Sequence, residues 1–476
     1  MICPIEFPIF AIQYFQSMTI LIKEATIITP SEEQRTDILI SDGKILQLGK
    51  ALKYAADRVI NASGKYVFPG GIDPHVHLHL PSPAGFSSDD FISGSIAALF
   101  GGTTSIIDFV TPTRGQPLIE ALDLRITEAS DSLVDYSFHI SPVEWRSTTE
   151  EEIKECIRRG FTSFKIYLAY QKSIGIDKEV LFKVMKVVGK AGGIVTAHCE
   201  LGEDVDRLRN EYAQNGHTSP LYQALSRPPQ TEVDAVKMAI KMAEKTSCPL
   251  YIVHVSSGAS LIHIRWAQQN GLPVMAESCP HYLLLNEEKY QGDFEKAAPY
   301  VLSPPLRKTE DQQLLWRAFI NGTLQTLGTD HCPFSMQQKA FGKHDFRNIP
   351  NGAGGIEHRL ALLHTYGVLK KKLSLQRFVE ISSSNAANIF GFEKKGKIAP
   401  GFDADMILWN SETTNTISAK TDHSNCDINI YEGFKTIGAA ETVIKGGEIF
   451  IDNGKLLQKV PGKLILRKPF DITIKQ

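Results

Sequence analysis

Eight short apolar runs, spaced through the middle of the chain, constrain its fold more than any other feature. In order they read GGIDPHVH (70–77), TTSIIDFV (103–110), DYSFHIS (135–141), SFKIYLAY (163–170), GIVTAHCE (193–200), PLYIVHVS (249–256), PVMAESCPH (273–281) and LQTLGTDHCPF (324–334). Amphipathic segments lie between them. SSDDFISGSIAALFGG opens on Ser and Asp and closes on glycines, and TEVDAVKMAIKMAEK carries apolar residues at helical spacing. Eight strands alternating with helices predict an α/β chain folded as a (β/α)8 barrel of the TIM type. A doubly wound open sheet stays open as an alternative, because strand number does not by itself prove closure.

The two ends have a different texture. TILIKEATIIT, DILISDGKILQLG and RVINASGKYVF near the start are β-rich runs broken by Asp-Gly and Ser-Gly, and they read as hairpins. DADMILWN and ETVIKGGEIFIDNGKL repeat that texture after residue 400. Both ends are therefore expected to pair into one small β-sandwich, residues 18–66 and 392–460, around an inserted barrel at 67–391. Residues 1–17 carry Glu6 and two prolines and lack a basic n-region, so they read as a disordered extension rather than a signal peptide. Residues 461–476 read as a tail available for an oligomer contact.

Composition narrows the partners. Lys plus Arg number 51 against 53 Asp plus Glu, with no long run of one sign, which argues against nucleic acid and membrane surfaces and leaves small molecules. No stretch approaches the roughly 20 apolar residues that span a bilayer. The seven cysteines are scattered with no CxxC pair, as in free thiols of a reducing compartment such as the cytosol.

Polar residues gather near the C-terminal ends of the apolar runs, and in a barrel those ends share the face on which active sites assemble. His75 and His77 stand two apart, so on a strand their rings point the same way. His198 ends the fifth run, His254 the sixth and Asp330 the eighth. Each alone reads most simply as a satisfied polar residue. At matching ends of four strands they form a nitrogen and oxygen set suited to zinc or a similar divalent ion. Lys165 interrupts SFKIYLAY, where an ammonium either faces desolvation or snorkels to the rim. Reaction of its amine with carbon dioxide would give a carbamate whose two oxygens can bridge two cations.

Long stretches of this text resemble the dihydropyrimidinase and hydantoinase family of cyclic amidohydrolases, from about residue 18 to about residue 460. FPGGIDPHVHL, SSDDF, GGTTSIIDF, SFKIYLAY, SPPLR, GTDHCPF, IPNGAGGIEHR and ISAKTDHSNCDINIYEG carry the likeness. The resemblance implies two zinc ions, one held by His75, His77, Asp330 and carboxylated Lys165, the other by Lys165, His198 and His254. It implies attack of a metal-bridging hydroxide on a ring amide, with Asp330 moving the proton and Tyr170 supplying a hydrogen bond to the oxyanion. Main-chain groups at Ser303 and Asn351 would hold the imide edge of a dihydropyrimidine or 5-substituted hydantoin, which opens to an N-carbamoyl amino acid. A homotetramer is implied as well.

Allantoinase-like ring opening and a non-enzymatic scaffold of the collapsin-response type are the other readings. The complete ligand set weighs against the scaffold. His79 is a departure: HLHLPSPAGF replaces the family's HLEMPF-like text, so His79 reads as a loop or supporting histidine and leaves the substrate preference open. His139, His281, His331 and His344 read as hydrogen-bonded structural residues, and EEIKECIRR as a solvated helical face.

Overall fold

In the computed structural model, which describes residues 18–471, the chain opens on strands β1 (Ile20–Ile28), β2 (Glu33–Ser41) and β3 (Lys44–Gly49), each antiparallel to the one before. Asp42 and Gly43 both adopt positive φ, 53° and 73°, as a two-residue turn between twisted strands requires. The following segment departs from the hairpin expected of RVINASGKYVF. Strands β4 (Arg58–Asn61) and β5 (Tyr66–Pro69) do not pair with each other but lie in succession along one edge of β1, both parallel to it. A bulge in β1 between Ile22 and Ala25, with Glu24 at φ 60°, breaks that edge into two registers, and one short strand docks on each.

The barrel strands are β6 (Gly71–Asp73) and, after a small hairpin of β7 (Pro81–Ser82) and β8 (Gly85–Phe86), β9 (Thr103–Val110), β10 (Asp135–Ile140), β11 (Ser163–Tyr167), β12 (Ile194–His198), β13 (Leu250–Ile252), β14 (Val274–Ser278) and β15 (Thr326–Leu327). They are parallel and ordered as in the chain, so each of the eight apolar runs contains one strand. Helices lie between them. Phe91–Phe100 is capped by the Asp90 carboxylate, which accepts from the Ser93 N–H at 2.7 Å, and Pro229–Thr246 covers the second segment predicted as helix.

Closure between β15 and β6 resolves the alternative of an open sheet, and it is made largely by side chains. A single bridge joins Val76 to His331, with the His77 N–H donating to the His331 carbonyl at 2.8 Å. The Asp73 carboxylate accepts from the Thr329 N–H (3.1 Å) and hydroxyl (2.6 Å). Wholly buried Arg359 donates to the carbonyls of Ile72 (3.0 Å) and Leu327 (2.9 Å) and to the Thr103 hydroxyl (3.0 Å). Arg359→Met would leave these acceptors buried and unpaired, and we expect a loss of about 3 kcal/mol. A calorimetric Tm equal to that of the wild type would remove Arg359 from this role.

Strands β16 (Met406–Thr416), β17 (Lys435–Lys445), β18 (Glu448–Asp452) and β19 (Lys455–Leu456) complete the other sheet. β16 runs antiparallel to β5, with Leu408 opposite Val67, so both ends of the chain form one nine-stranded sheet. The expected sandwich is thus hydrogen-bonded as a single sheet that curls until Gly43 and Ile45 accept from Ala404 and Gly401, at 2.9 and 2.8 Å. Ile20, Ile22, Ile38, Ile40, Met406, Leu408 and Ile444 fill its core. A buried ion network locks it to the barrel: Lys395 Nζ lies 2.6 Å from Asp135 on β10 and 2.5 Å from Asp405.

The tail as far as residue 471 packs on its own chain. Ile465, Arg467 and Phe470 donate their N–H groups to Tyr136, Gly160 and Gly192 at 2.8, 2.8 and 2.9 Å, across the N-terminal ends of β10, β11 and β12. Residues 1–17, expected as an extension, and 472–476 lie outside the described residues. Among the described residues no helix is long and apolar enough to cross a membrane.

Candidate active site

A cavity of about 920 Å³ opens at the C-terminal ends of the barrel strands. It is lined by His77, Lys165, Tyr170, His198, His254, Ser303, Asp330 and Asn351, eight of the nine residues expected to ligate metal, move the proton or hold the ring; His75, the ninth, is wholly buried. His75 and His77 stand just beyond β6 rather than on it, one on either side of the bridged Val76, which keeps their rings on the same side. His198 is the last residue of β12, Lys165 lies within β11, and His254 and Asp330 follow β13 and β15. Tyr170, His254 and Asp330 adopt left-handed backbone, with φ of 61°, 39° and 51°. Non-glycine residues seldom take that conformation unless their surroundings hold them there.

Ligand atoms of His75, His77 and Asp330 all lie within 4.8 Å of one another, a set that can hold a metal ion. Both Nε2 atoms approach the same carboxylate oxygen, Asp330 Oδ1, at 3.2 Å from His75 and 3.1 Å from His77. His75 Nδ1 faces Glu277 Oε1 at 2.5 Å, and His198 Nε2 faces Glu200 Oε2 at 2.8 Å. A carboxylate behind an imidazole draws the ring proton to that side and turns the other nitrogen's lone pair inward. The inward nitrogens are then His75 Nε2, aimed at Asp330, and His198 Nδ1, which lies 3.0 Å from His254 Nε2. Lone pairs converging on a carboxylate and on another imidazole make the donor set that a divalent cation satisfies.

Lys165 is the anomaly of the site. Its Nζ is buried without a hydrogen-bond partner, 4.8 Å from the centre of the Phe109 ring and 5.0 Å from that of Tyr167. Burial pushes its pKa down to about 8. The free, nucleophilic amine is therefore more accessible near neutral pH than in an exposed lysine. Burial alone would raise the Asp330 carboxyl, but the facing His75 and His77 rings outweigh it and hold Asp330 well below the usual carboxylate range. Burial also depresses His254 well below an ordinary histidine, which leaves it neutral and able to ligate.

Tyr170 stands 5.4 Å from the His198 ring, and burial raises its phenol pKa, so its hydroxyl remains a donor at neutral pH. Ser303 and Asn351 come from separate loops joined by a residue the sequence did not single out: Gln223 Nε2 donates to Ser303 Oγ at 3.1 Å and to Asn351 Oδ1 at 2.8 Å. Glu277 and Glu200 were missed too. Glu277 had a signal, since it interrupts an apolar run just as Lys165 does; it also accepts from the Tyr251 hydroxyl at 2.7 Å. Glu200 is paired with buried Arg227; burial would raise its carboxyl, but the guanidinium brings it down to about 2. Gln223 had no signal, because a lone polar residue in a short helix (Leu221–Leu225) looks like surface.

His79 sits on the rim of the cavity at φ 49°, stacked on Phe86 with 3.9 Å between ring centres and 2.5 Å from Glu128 Oε1. His139 meets Ser163 Oγ at 2.6 Å and the Pro74 carbonyl at 3.0 Å, and His331 bridges Asp89 (3.0 Å) and the Gly355 N–H (3.1 Å). His281 packs against Tyr282 with its Nε2 unpartnered, and His344 is exposed.

Comparison with known proteins agrees with this geometry. The amidohydrolase family model matches residues 66–457. A D-hydantoinase of Geobacillus stearothermophilus is 41% identical over 449 residues, covering 94% of this chain and 95% of that protein. A D-hydantoinase of Ralstonia pickettii is 39% identical over 457 residues, covering 95% and 100%. The crystal structure of dihydropyrimidinase from Brevibacillus agri NCHU1002 superposes with a TM-score of 0.94 at 38% identity, over 95% of this chain and all of that one. A barrel closed around a histidine and aspartate cluster, in a chain similar to these proteins along nearly its whole length, identifies a member of the amidohydrolase family.

Proposed function

We propose that this protein hydrolyses the ring of a cyclic amide, a 5,6-dihydropyrimidine or a 5-substituted hydantoin, to an N-carbamoyl amino acid. The observation that carries the reading is the partnerless, buried Lys165 amine, close enough to interact electrostatically with His75, His77 and Asp330 and with the His198 and His254 pair. Carbon dioxide would add to that amine with loss of one proton, giving an anionic carbamate. His75, His77, Asp330 and carboxylated Lys165 would then hold one cation, and Lys165, His198 and His254 a second, with zinc suited to this nitrogen and oxygen set. When bound, the cations supply a nucleophile from water near neutral pH and polarise the scissile carbonyl.

The chain's own residues do the remainder. Asp330, ionised at neutral pH, takes the proton of the attacking water and passes it to the departing ring nitrogen. The Tyr170 hydroxyl donates to the oxygen on which charge accumulates. Ser303 and Asn351, clamped by Gln223, face the edge of the ring. The carbonyl carbon gains a hydroxyl, the C–N bond breaks, and the ring nitrogen leaves as a neutral N–H carrying the proton that Asp330 delivers. The walls near Phe86, Leu80 and Phe341 accept the ring substituent.

Purified protein replete with metal is expected to open dihydrouracil or a 5-substituted hydantoin faster than allantoin. A chelator should abolish that activity, and zinc should restore it. Ring opening that survives complete metal removal, or two bound metals with none of these rings opened, refutes the reading. We assign a reducing, cytosolic setting from the six buried free cysteines among the described residues, and a homotetramer from the family likeness alone. A sedimentation profile dominated by monomer counts against the tetramer.

A further inference from the structure

Lys339 is a buried cation that the chemistry above leaves unused. It ends the short helix Met336–Lys339, is wholly buried, and forms no ion pair among the described residues. Its ammonium instead donates to three main-chain carbonyls: Val301 at 2.9 Å, Pro350 at 2.8 Å and Gly352 at 2.8 Å. These carbonyls belong to the two loops that bring Ser303 and Asn351 to the cavity. Burial pushes the Lys339 pKa down to about 7, so the protonated form is held at a cost that neutral donors would avoid.

The Pro350 contact carries the argument. The carbonyl of Pro350 and the N–H of Asn351 belong to one peptide unit, which is trans, since the single cis bond among the described residues is Ser303–Pro304. In a trans peptide the C=O and N–H point in opposite directions. The carbonyl end meets Lys339, which does not line the cavity, whereas Asn351 does line it. Among the described residues the Asn351 N–H has no acceptor of its own. A positive charge on the carbonyl oxygen also polarises the peptide and makes the N–H at its far end a stronger donor.

We propose that Lys339 is a positioning residue which, from behind the cavity wall, fixes the Pro350–Asn351 peptide so that the Asn351 N–H is presented to a carbonyl of the substrate ring, and whose charge strengthens that donor. The inference rests on the ring-opening reading and adds to it how the ring is held. Gln223 clamps the same two loops through their side chains, whereas Lys339 sets the direction of the backbone donor.

The test compares Lys339→Met and Lys339→Gln with the wild type, on dihydrouracil or a 5-substituted hydantoin, whichever the wild type opens. In Lys339→Met, KM rises and kcat/KM falls on the order of 10- to 100-fold, as when a preorganised donor is misplaced, while metal content is unchanged. Lys339→Gln keeps a donor without the charge and falls between the two. A merely structural lysine would lower Tm and the active fraction and leave KM alone. Equal KM values in wild type and the folded variants overturn the proposal, and if Lys339→Met does not fold, Lys339→Gln decides it. If the wild type opens no ring, the ring-opening reading fails first and this inference with it.

Discussion

Lys165→Ala is expected to lower kcat for ring opening by on the order of 10⁴-fold, the scale seen when one member of a catalytic unit is removed. The size follows from charge. With the proposed carbamate in place two cations would share an anion; without it, Asp330 would be the one negative ligand among neutral imidazoles. Elemental analysis of the variant should therefore show metal loss together with activity loss. A short carboxylic acid fits the space vacated by the side chain and can supply two bridging oxygens, so added propionate should restore part of the rate. Full activity in Lys165→Ala with no added carboxylate would refute the carbamate assignment.

Asp330→Asn is the second large effect, a fall of on the order of 10³-fold in kcat. Asparagine keeps an oxygen that can face a cation but cannot take a proton. The variant is thus expected to retain most of its metal while losing turnover, the reverse of the pattern for Lys165→Ala. The wild-type carboxyl lies well below its ordinary range, so Asp330 is ionised throughout the neutral range in which turnover is compared. Retention of wild-type kcat by a metal-loaded Asp330→Asn would show that another group carries the proton.

The distribution of what could be read in advance follows from how burial and partnership leave marks in a sequence. Alternation of apolar runs and amphipathic segments reports local burial, and it located all eight barrel strands. The site residues were legible for a related reason: a polar side chain at the end of an apolar strand is costly unless it has work, and His198, His254 and Asp330 all stand at such positions. Partnerships across the chain leave no such mark. Nothing near RVINASGKYVF reveals that β4 and β5 dock on β1 rather than on each other, because the cause is a bulge in β1 itself. The closing seam is likewise silent, since Arg359 meets carbonyls far from it in sequence. Gln223 and Lys339 look like surface residues until their loops are placed around them.

The pairing of β5 with β16 has a consequence for how this protein is made. Val67 and Leu408 face each other across that junction, so one edge of the first half-sheet is synthesised more than three hundred residues before its partner. At ordinary rates of translation the wait is on the order of tens of seconds. Throughout it, an edge flanked by isoleucines and valines is open to pairing with any other extended chain. Nascent polypeptide released before residue 406 would retain that open edge for good. A ribosome stalled late in the message would therefore yield sticky, aggregation-prone fragments rather than inert ones, and the burden on cellular chaperones should fall during elongation rather than after release.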